Sequence, residues 1–172
     1  MDNQRLLVVV RHAKAEPFAA SDVERVLTDR GRHDGAALGA WLAAQGVRPG
    51  VAYVSYAART RETWHVMAGA AAWALAPHID GNLYGTDEDG VLELVHTTPE
   101  DVATVVVVGH NPTMGMLAQL LDDGEGAATG AVATEGFPTS AAAVFAVPGP
   151  WAEVEPMAAR LVGFHVGRAA DA

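Results

Sequence analysis

Short apolar runs recur along the chain, separated by stretches in which apolar residues return every three or four positions. Leu6-Leu7-Val8-Val9-Val10, Val51-Ala52-Tyr53-Val54-Ser55 and Thr104 to Val108 are apolar or β-branched almost throughout, as strands buried on both faces are. Between the first two, Leu38, Trp41, Leu42 and Gln45 lie at helical spacing, with Thr28 placed as N-cap and Gly46 as the stop. A second helix is predicted from near Arg59 to about Ala72, after a loop at Tyr56-Ala57-Ala58. Pro77-His78-Ile79 suggests a brief strand before the turn residues Gly81, Asn82 and Gly85. Thr86 and Asp89 form a capping box ahead of Val91, Leu92, Leu94 and Val95, and Pro112 sits at the first position of a helix reaching about Leu121. Residues 13 to 28, with Pro17, read as an irregular loop, and 122 to 136, rich in Gly, Ala, Asp and Thr, as a mobile surface loop. Strands near Ala141 to Val147 and Arg160 to Phe164 finish the chain.

This alternation predicts an α/β fold: one three-layer α/β/α domain over residues 1–172, with a mostly parallel central sheet and an antiparallel edge. The length suits one core, and 50% hydrophobic against 19% charged residues excludes general disorder. The chain has no cysteine, which removes thiolate nucleophiles, disulfides and Cys-based zinc sites. Met1-Asp2-Asn3-Gln4-Arg5 lacks the pattern of a signal segment, and the alanine-rich stretch Ala68 to Ala76 is far shorter than a membrane helix needs. A cytoplasmic protein is therefore expected. A formal net charge of −10 argues against nucleic acid or anionic membrane as a partner, yet a local cationic pocket can coexist with an acidic exterior.

Candidate chemistry lies where the strands end, the usual place for it in open α/β sheets. Arg11-His12 follows the first strand, Arg59 the second, and Gly109-His110-Asn111 the strand through Val108. Arginine offers a planar fork of donors matched to phosphoryl oxygens. A neutral imidazole beside a bound phosphoryl group can attack it. His12 is the candidate nucleophile, and His110 in its protonated form could stabilise charge developing in the transition state. Taken singly, each residue could be a surface cation or a satisfied turn histidine. Arg59 in a first helical turn opposes the helix dipole, which favours an anion partner.

Leu7-Val8-Val9-Val10-Arg11-His12-Ala13-Lys14-Ala15 resembles the signature of the histidine phosphatase superfamily, the phosphoglycerate mutase-like proteins. The resemblance continues through Leu27-Thr28-Asp29-Arg30-Gly31, Ser55 to Thr63, Val108-Gly109-His110-Asn111-Pro112 and Pro138-Thr139-Ser140-Ala141. The short length, without an inserted cap, points to the SixA-type phosphohistidine phosphatases. The resemblance implies that His12 is phosphorylated, that Arg11 and Arg59 grip the phosphoryl oxygens, and that His110 completes the pocket. The family's carboxylic acid is not matched: Asn111 stands directly after the second histidine, and after the third strand Asp80 is the nearest candidate general acid, with Asp87 and Glu88 behind it.

The expected activity is a metal-independent phosphatase with no cofactor, acting on phosphohistidine of a protein of the histidine phosphotransfer type. The alternatives are a broad aryl or small-molecule phosphomonoesterase and a non-catalytic phosphate-binding module. A mutase is disfavoured, because the chain lacks insertions to hold both ends of its substrate. A weak general acid itself favours phosphohistidine or aryl phosphate over alkyl phosphate, since imidazole can leave neutral once its free ring nitrogen is protonated, whereas an alkoxide needs a proton from the enzyme. His33, His65, His78, His96 and His165 match no metal-ligand pattern. Lys14 reads equally as a solvent charge or a substrate contact.

Overall fold

Alternate residues of the first strand face opposite ways, and both faces are buried. Leu7 and Val9 join one apolar cluster and Val8 and Val10 another. This arrangement of a sheet covered on both sides is seen in a computed structural model that describes residues 4–170; Met1, Asp2 and Asn3 lie outside the described residues. The strands are β1 (Arg5–Arg11), β2 (Val51–Ser55), β3 (His78–Asp80), β4 (Thr104–Gly109), β5 (Ala141–Val147) and β6 (Arg160–Val166). They form one sheet in the order β3-β2-β4-β1-β5-β6, in which β1 to β4 pair in parallel. The reversed strand is β5, which lies inside the sheet and pairs antiparallel with both β1 and β6. The predicted α/β/α layering with a mostly parallel sheet is thus observed.

The helices are α1 (Asp29–Ala44), α2 (Ala58–Ala71), α3 (Glu88–His96), α4 (Thr113–Leu121) and α5 (Ala131–Glu135). Leu38 and Leu42 of α1 and Trp64 and Met67 of α2 cover the Val8/Val10 face. Val91 and Val95 of α3 and Leu117 and Leu121 of α4 cover the other. Helix α1 approaches α2 through Gly39, where a Cβ would overlap the Met67 carbonyl. Its N-terminus abuts the loop after β1 through Gly31, where a Cβ would overlap the Lys14 carbonyl. Thr28 caps α1 by accepting from the Gly31 amide, and Gly46 takes the left-handed conformation after it, both as the sequence predicts.

Three local expectations need correction. The N-cap of α3 is Asp87, whose side chain accepts from the Gly90 amide, rather than Thr86; the two adjacent residues are both competent caps. Pro112 occupies the N-cap of α4, one position before the first helical residue. The stretch 122 to 136 is not wholly loop. It holds α5, which buries Val132 between two left-handed glycines, Gly130 and Gly136, and the Asp122 side chain ties Gly124, Thr129 and Gly130 together. No helix among the described residues is long and apolar enough to cross a membrane.

Candidate active site

Parallel pairing of β1 with β4 sets Arg11 opposite Gly109, and the His12 amide extends that ladder by donating to the Gly109 carbonyl at 3.1 Å. The two residues that follow, His12 and His110, therefore emerge side by side, their ring centroids 5.5 Å apart. Strand β2 flanks β4 on its other side, so Ser55 and the start of α2 reach the same sheet edge. The turn into α2 is fixed by Thr60, whose hydroxyl lies 2.7 Å from the Ser55 carbonyl and 2.9 Å from that of Ala57. Arg59 lies in the first turn. The four residues singled out in the sequence thus meet at one edge.

His12 is buried, and its Nδ1 lies 2.7 Å from the Ala13 carbonyl oxygen. A carbonyl only accepts, so Nδ1 carries the hydrogen and Nε2 keeps its lone pair. Ala13 is itself held in place, because its amide donates to Thr63 Oγ1 at 2.9 Å and that hydroxyl donates to the Arg59 carbonyl at 2.7 Å. Burial lowers the His12 pKa to about 3 against the opposing pull of the Ala13 carbonyl, with His110, Arg59 and Arg11 lowering it further. The ring is neutral at pH 7, as a nucleophile must be.

His110 Nε2 pairs with Ser55 Oγ at 2.8 Å, while its Nδ1 is buried without a partner among the described residues. Burial, then Arg59, lowers its pKa to about 4, with Asp22 opposing and Arg11 adding to the shift. The proton-bearing form expected from the sequence therefore requires an anion beside the ring to raise its pKa.

Arg11 donates from Nη1 to the Phe137 carbonyl at 3.2 Å, and its Nε is buried and unpaired. Arg59, only 6% exposed, also has a buried unpaired Nε. Its Nη1 donates to the Asp22 carbonyl at 2.9 Å, its Nη2 to Asp22 Oδ2 at 3.1 Å, and its guanidinium lies 5.9 Å from the Tyr84 ring centre. Arg11 Nε, Arg59 Nε and His110 Nδ1 are thus buried nitrogen atoms that no described residue satisfies, on side chains that gather at one sheet edge.

Asn111 is engaged at both ends, donating to the Phe137 carbonyl at 2.7 Å and accepting from the Gly115 amide at 3.1 Å. The residue after the second histidine therefore ties α4 to the Phe137 turn and offers no acid. Asp80 ends β3 opposite Ser55, but its Oδ1 accepts from the Asn82 amide at 2.7 Å. It lines a cleft of about 600 Å³ with Asn82, Glu93 and Thr97, and among the described residues it makes no bond to Arg11, His12, Arg59 or His110. Asp87 is taken up by capping α3, which Glu88 begins. Among the described residues no three His, Asp or Glu side chains gather as metal ligands do.

Sequence reasoning missed two residues at this edge. Asp22 belongs to a short 3-10 turn, Asp22–Glu24, inside the loop after β1, and Tyr84 to another, Asn82–Tyr84, after β3. The Tyr84 hydroxyl donates to Asp22 Oδ2, and its ring meets His110 edge-on at 5.5 Å. The loop carrying Asp22 is closed at its base by a bridge between Ala15 and Leu27. The available signal was indirect: a buried arginine calls for an acidic partner.

No protein-family model matches the chain. An uncharacterised protein of Mycobacterium tuberculosis is 40% identical over 162 residues, covering 92% of this chain and all of that relative. Among solved structures, a protein of Nakamurella multipartitia assigned as a phosphohistidine phosphatase SixA is 29% identical with a TM-score of 0.77, over 94% of this chain and 95% of that one. The protein histidine phosphatase SixA complexed with tungstate is 25% identical with a TM-score of 0.75, over 94% of this chain and 97% of that one.

Proposed function

Because the chain belongs to the histidine phosphatase superfamily, as a phosphatase of its SixA type, we propose that it removes phosphate from phosphohistidine of a protein, with His12 as nucleophile. The observation that carries this reading is the fixed His12 ring, buried and neutral, with Nδ1 tied to the Ala13 carbonyl and Nε2 free to attack. In the first step Nε2 bonds to phosphorus as the bond from phosphorus to the leaving nitrogen breaks, and the electron pair goes to the substrate imidazole. In the second, water attacks the phosphorylated His12 and releases phosphate. Arg11, Arg59 and His110 offset the charge on the phosphoryl oxygens through both steps. The unpaired Nε of each arginine and Nδ1 of His110 are the groups for this task.

The leaving group narrows the substrate. Asn111 cannot supply a proton, and Asp80 is turned onto Asn82. Asp80 remains the candidate donor for alkyl esters, with little to contribute to a leaving group as good as imidazole. The neighbouring SixA structures, which are named as phosphohistidine phosphatases and include a complex with the oxyanion tungstate, support the same substrate class. The test is to incubate the purified chain with a phosphorylated histidine phosphotransfer domain and with a panel of small phosphate esters. Fast release from the protein and slow release from alkyl esters is expected. Faster turnover of sugar or glycerol phosphates would overturn the reading.

A further inference from the structure

A carboxylate beside a phosphate-binding arginine is a paradox, because it repels the dianion the arginine is there to hold. The Asp22 side chain, half exposed at the lip of the site, receives Arg59 Nη2 on Oδ2 at 3.1 Å and Arg25 Nη1 on Oδ1 at 2.9 Å. The Tyr84 hydroxyl donates to Oδ2 as well. Hydrogen bonds from Tyr84 and Arg25, and then the charge of Arg59, hold its pKa well below the usual carboxylate range. It therefore gives no proton at neutral pH, but it is a charged acceptor held in place by three donors. The repulsion is offset if the substrate carries a positive group next to its phosphoryl group. Phosphohistidine does so when its second ring nitrogen is protonated, and a phosphate ester does not.

We propose that Asp22 selects phosphohistidine by accepting a hydrogen bond from the second ring nitrogen of the substrate imidazole, keeping that ring protonated while its bond to phosphorus breaks. The bond to phosphorus forms at His12 Nε2, the electron pair of the broken bond returns to the substrate nitrogen, and the ring departs as neutral imidazole with its proton still on the nitrogen facing Asp22. The inference rests on the phosphohistidine reading above and adds the residue that enforces it.

Phosphoimidazole and 4-nitrophenyl phosphate separate the roles, since only the first presents a ring N–H. Asp22→Asn keeps an oxygen for Arg59 and removes the charge. It should lower kcat/KM for phosphoimidazole roughly 10- to 100-fold more than for 4-nitrophenyl phosphate, the worth of a hydrogen bond to a charged group. A carboxylate that favours the protonated ring extends activity toward higher pH, so the alkaline limb with phosphoimidazole should move to lower pH in the variant. The groups facing Asp22 are Arg25 from its own loop, Arg59 from α2, Tyr84 after β3 and, at longer range, His110 after β4. All are common to both substrates, so a shift confined to phosphoimidazole belongs to the substrate ring. Asp22→Ala should repeat the selective loss, with circular dichroism confirming the fold of both variants. Parallel losses on the two substrates with unmoved limbs would overturn the inference and leave Asp22 as a holder of Arg59. Failure of the unaltered protein to turn over phosphoimidazole would overturn the phosphohistidine reading and this inference together.

Discussion

The centre of the site and its rim are built in opposite ways. Arg11, His12 and His110 are the last residues of two paired strands or the first beyond them, and the nitrogen atoms left without partners there are buried. Asp22 and Tyr84 come from loop turns, stand half exposed, and are bonded to each other and to Arg59. The centre is rigid and under-satisfied, as a preorganised anion site should be. The rim is satisfied within itself. Chemistry common to all phosphoryl transfer belongs to the first region, and choice of leaving group to the second.

Substitutions in the centre should therefore affect every substrate. His12→Ala is expected to abolish turnover of phosphohistidine and aryl phosphate alike, since the chain has no cysteine to replace it and His110 Nε2 is engaged with Ser55 Oγ; steady-state assays on both substrates check this. Residual activity on one class alone would mean the centre is not shared. Next in size, Arg59→Ala or Arg11→Ala should each cost roughly 3 kcal/mol of transition-state stabilisation, as loss of a preorganised donor does. Thermal melts would separate that loss from any loss of fold. Wild-type kinetics in Arg59→Ala would move the phosphoryl site away from α2.

The pH dependence sharpens the contrast further. His12 is held at about 3 and His110 at about 4, both below the ordinary histidine value. Between those values and the unfolded value of about 6.5 the unfolded chain binds more protons than the folded one, so stability is lost as pH falls through this window. Replacing His12 with Asn should flatten that acid loss in denaturant titrations at pH 4 to 7, and an unchanged slope would show that the ring is not held neutral. By the same shift, activity toward 4-nitrophenyl phosphate should persist below pH 6.5 rather than fall with an ordinary imidazole. The smallest effect is expected at Asp80→Asn: little change on phosphohistidine or aryl phosphate, because Asp80 already accepts from Asn82. A large defect confined to alkyl esters would make Asp80 a working acid.

What was legible in the sequence follows the same division. Arg11, His12, Arg59 and His110 could be read because an apolar run locates a strand, and the residue after it inherits a place at the sheet edge. The layered sheet was legible for the same reason. Asp22 was hidden because its partner Arg59 lies 37 residues away and their meeting depends on how the loop between Ala15 and Leu27 closes. Tyr84 sits in a stretch of turns without periodicity. The helix α5 escaped because five residues are too few to show a period. The capping residue of α3 was misplaced by one position because Thr86 and Asp87 are both good caps and only the observed bond to Gly90 distinguishes them.

The most direct test of covalent catalysis at His12 is rapid-quench trapping of the phosphoenzyme with radiolabelled phosphohistidine protein, followed by mapping of the label. The expected result is an acid-labile phosphoryl group on His12, at Nε2 because Nδ1 is engaged by the Ala13 carbonyl, and none on His12→Ala. Label on another residue, or undiminished label on His12→Ala, would contradict it.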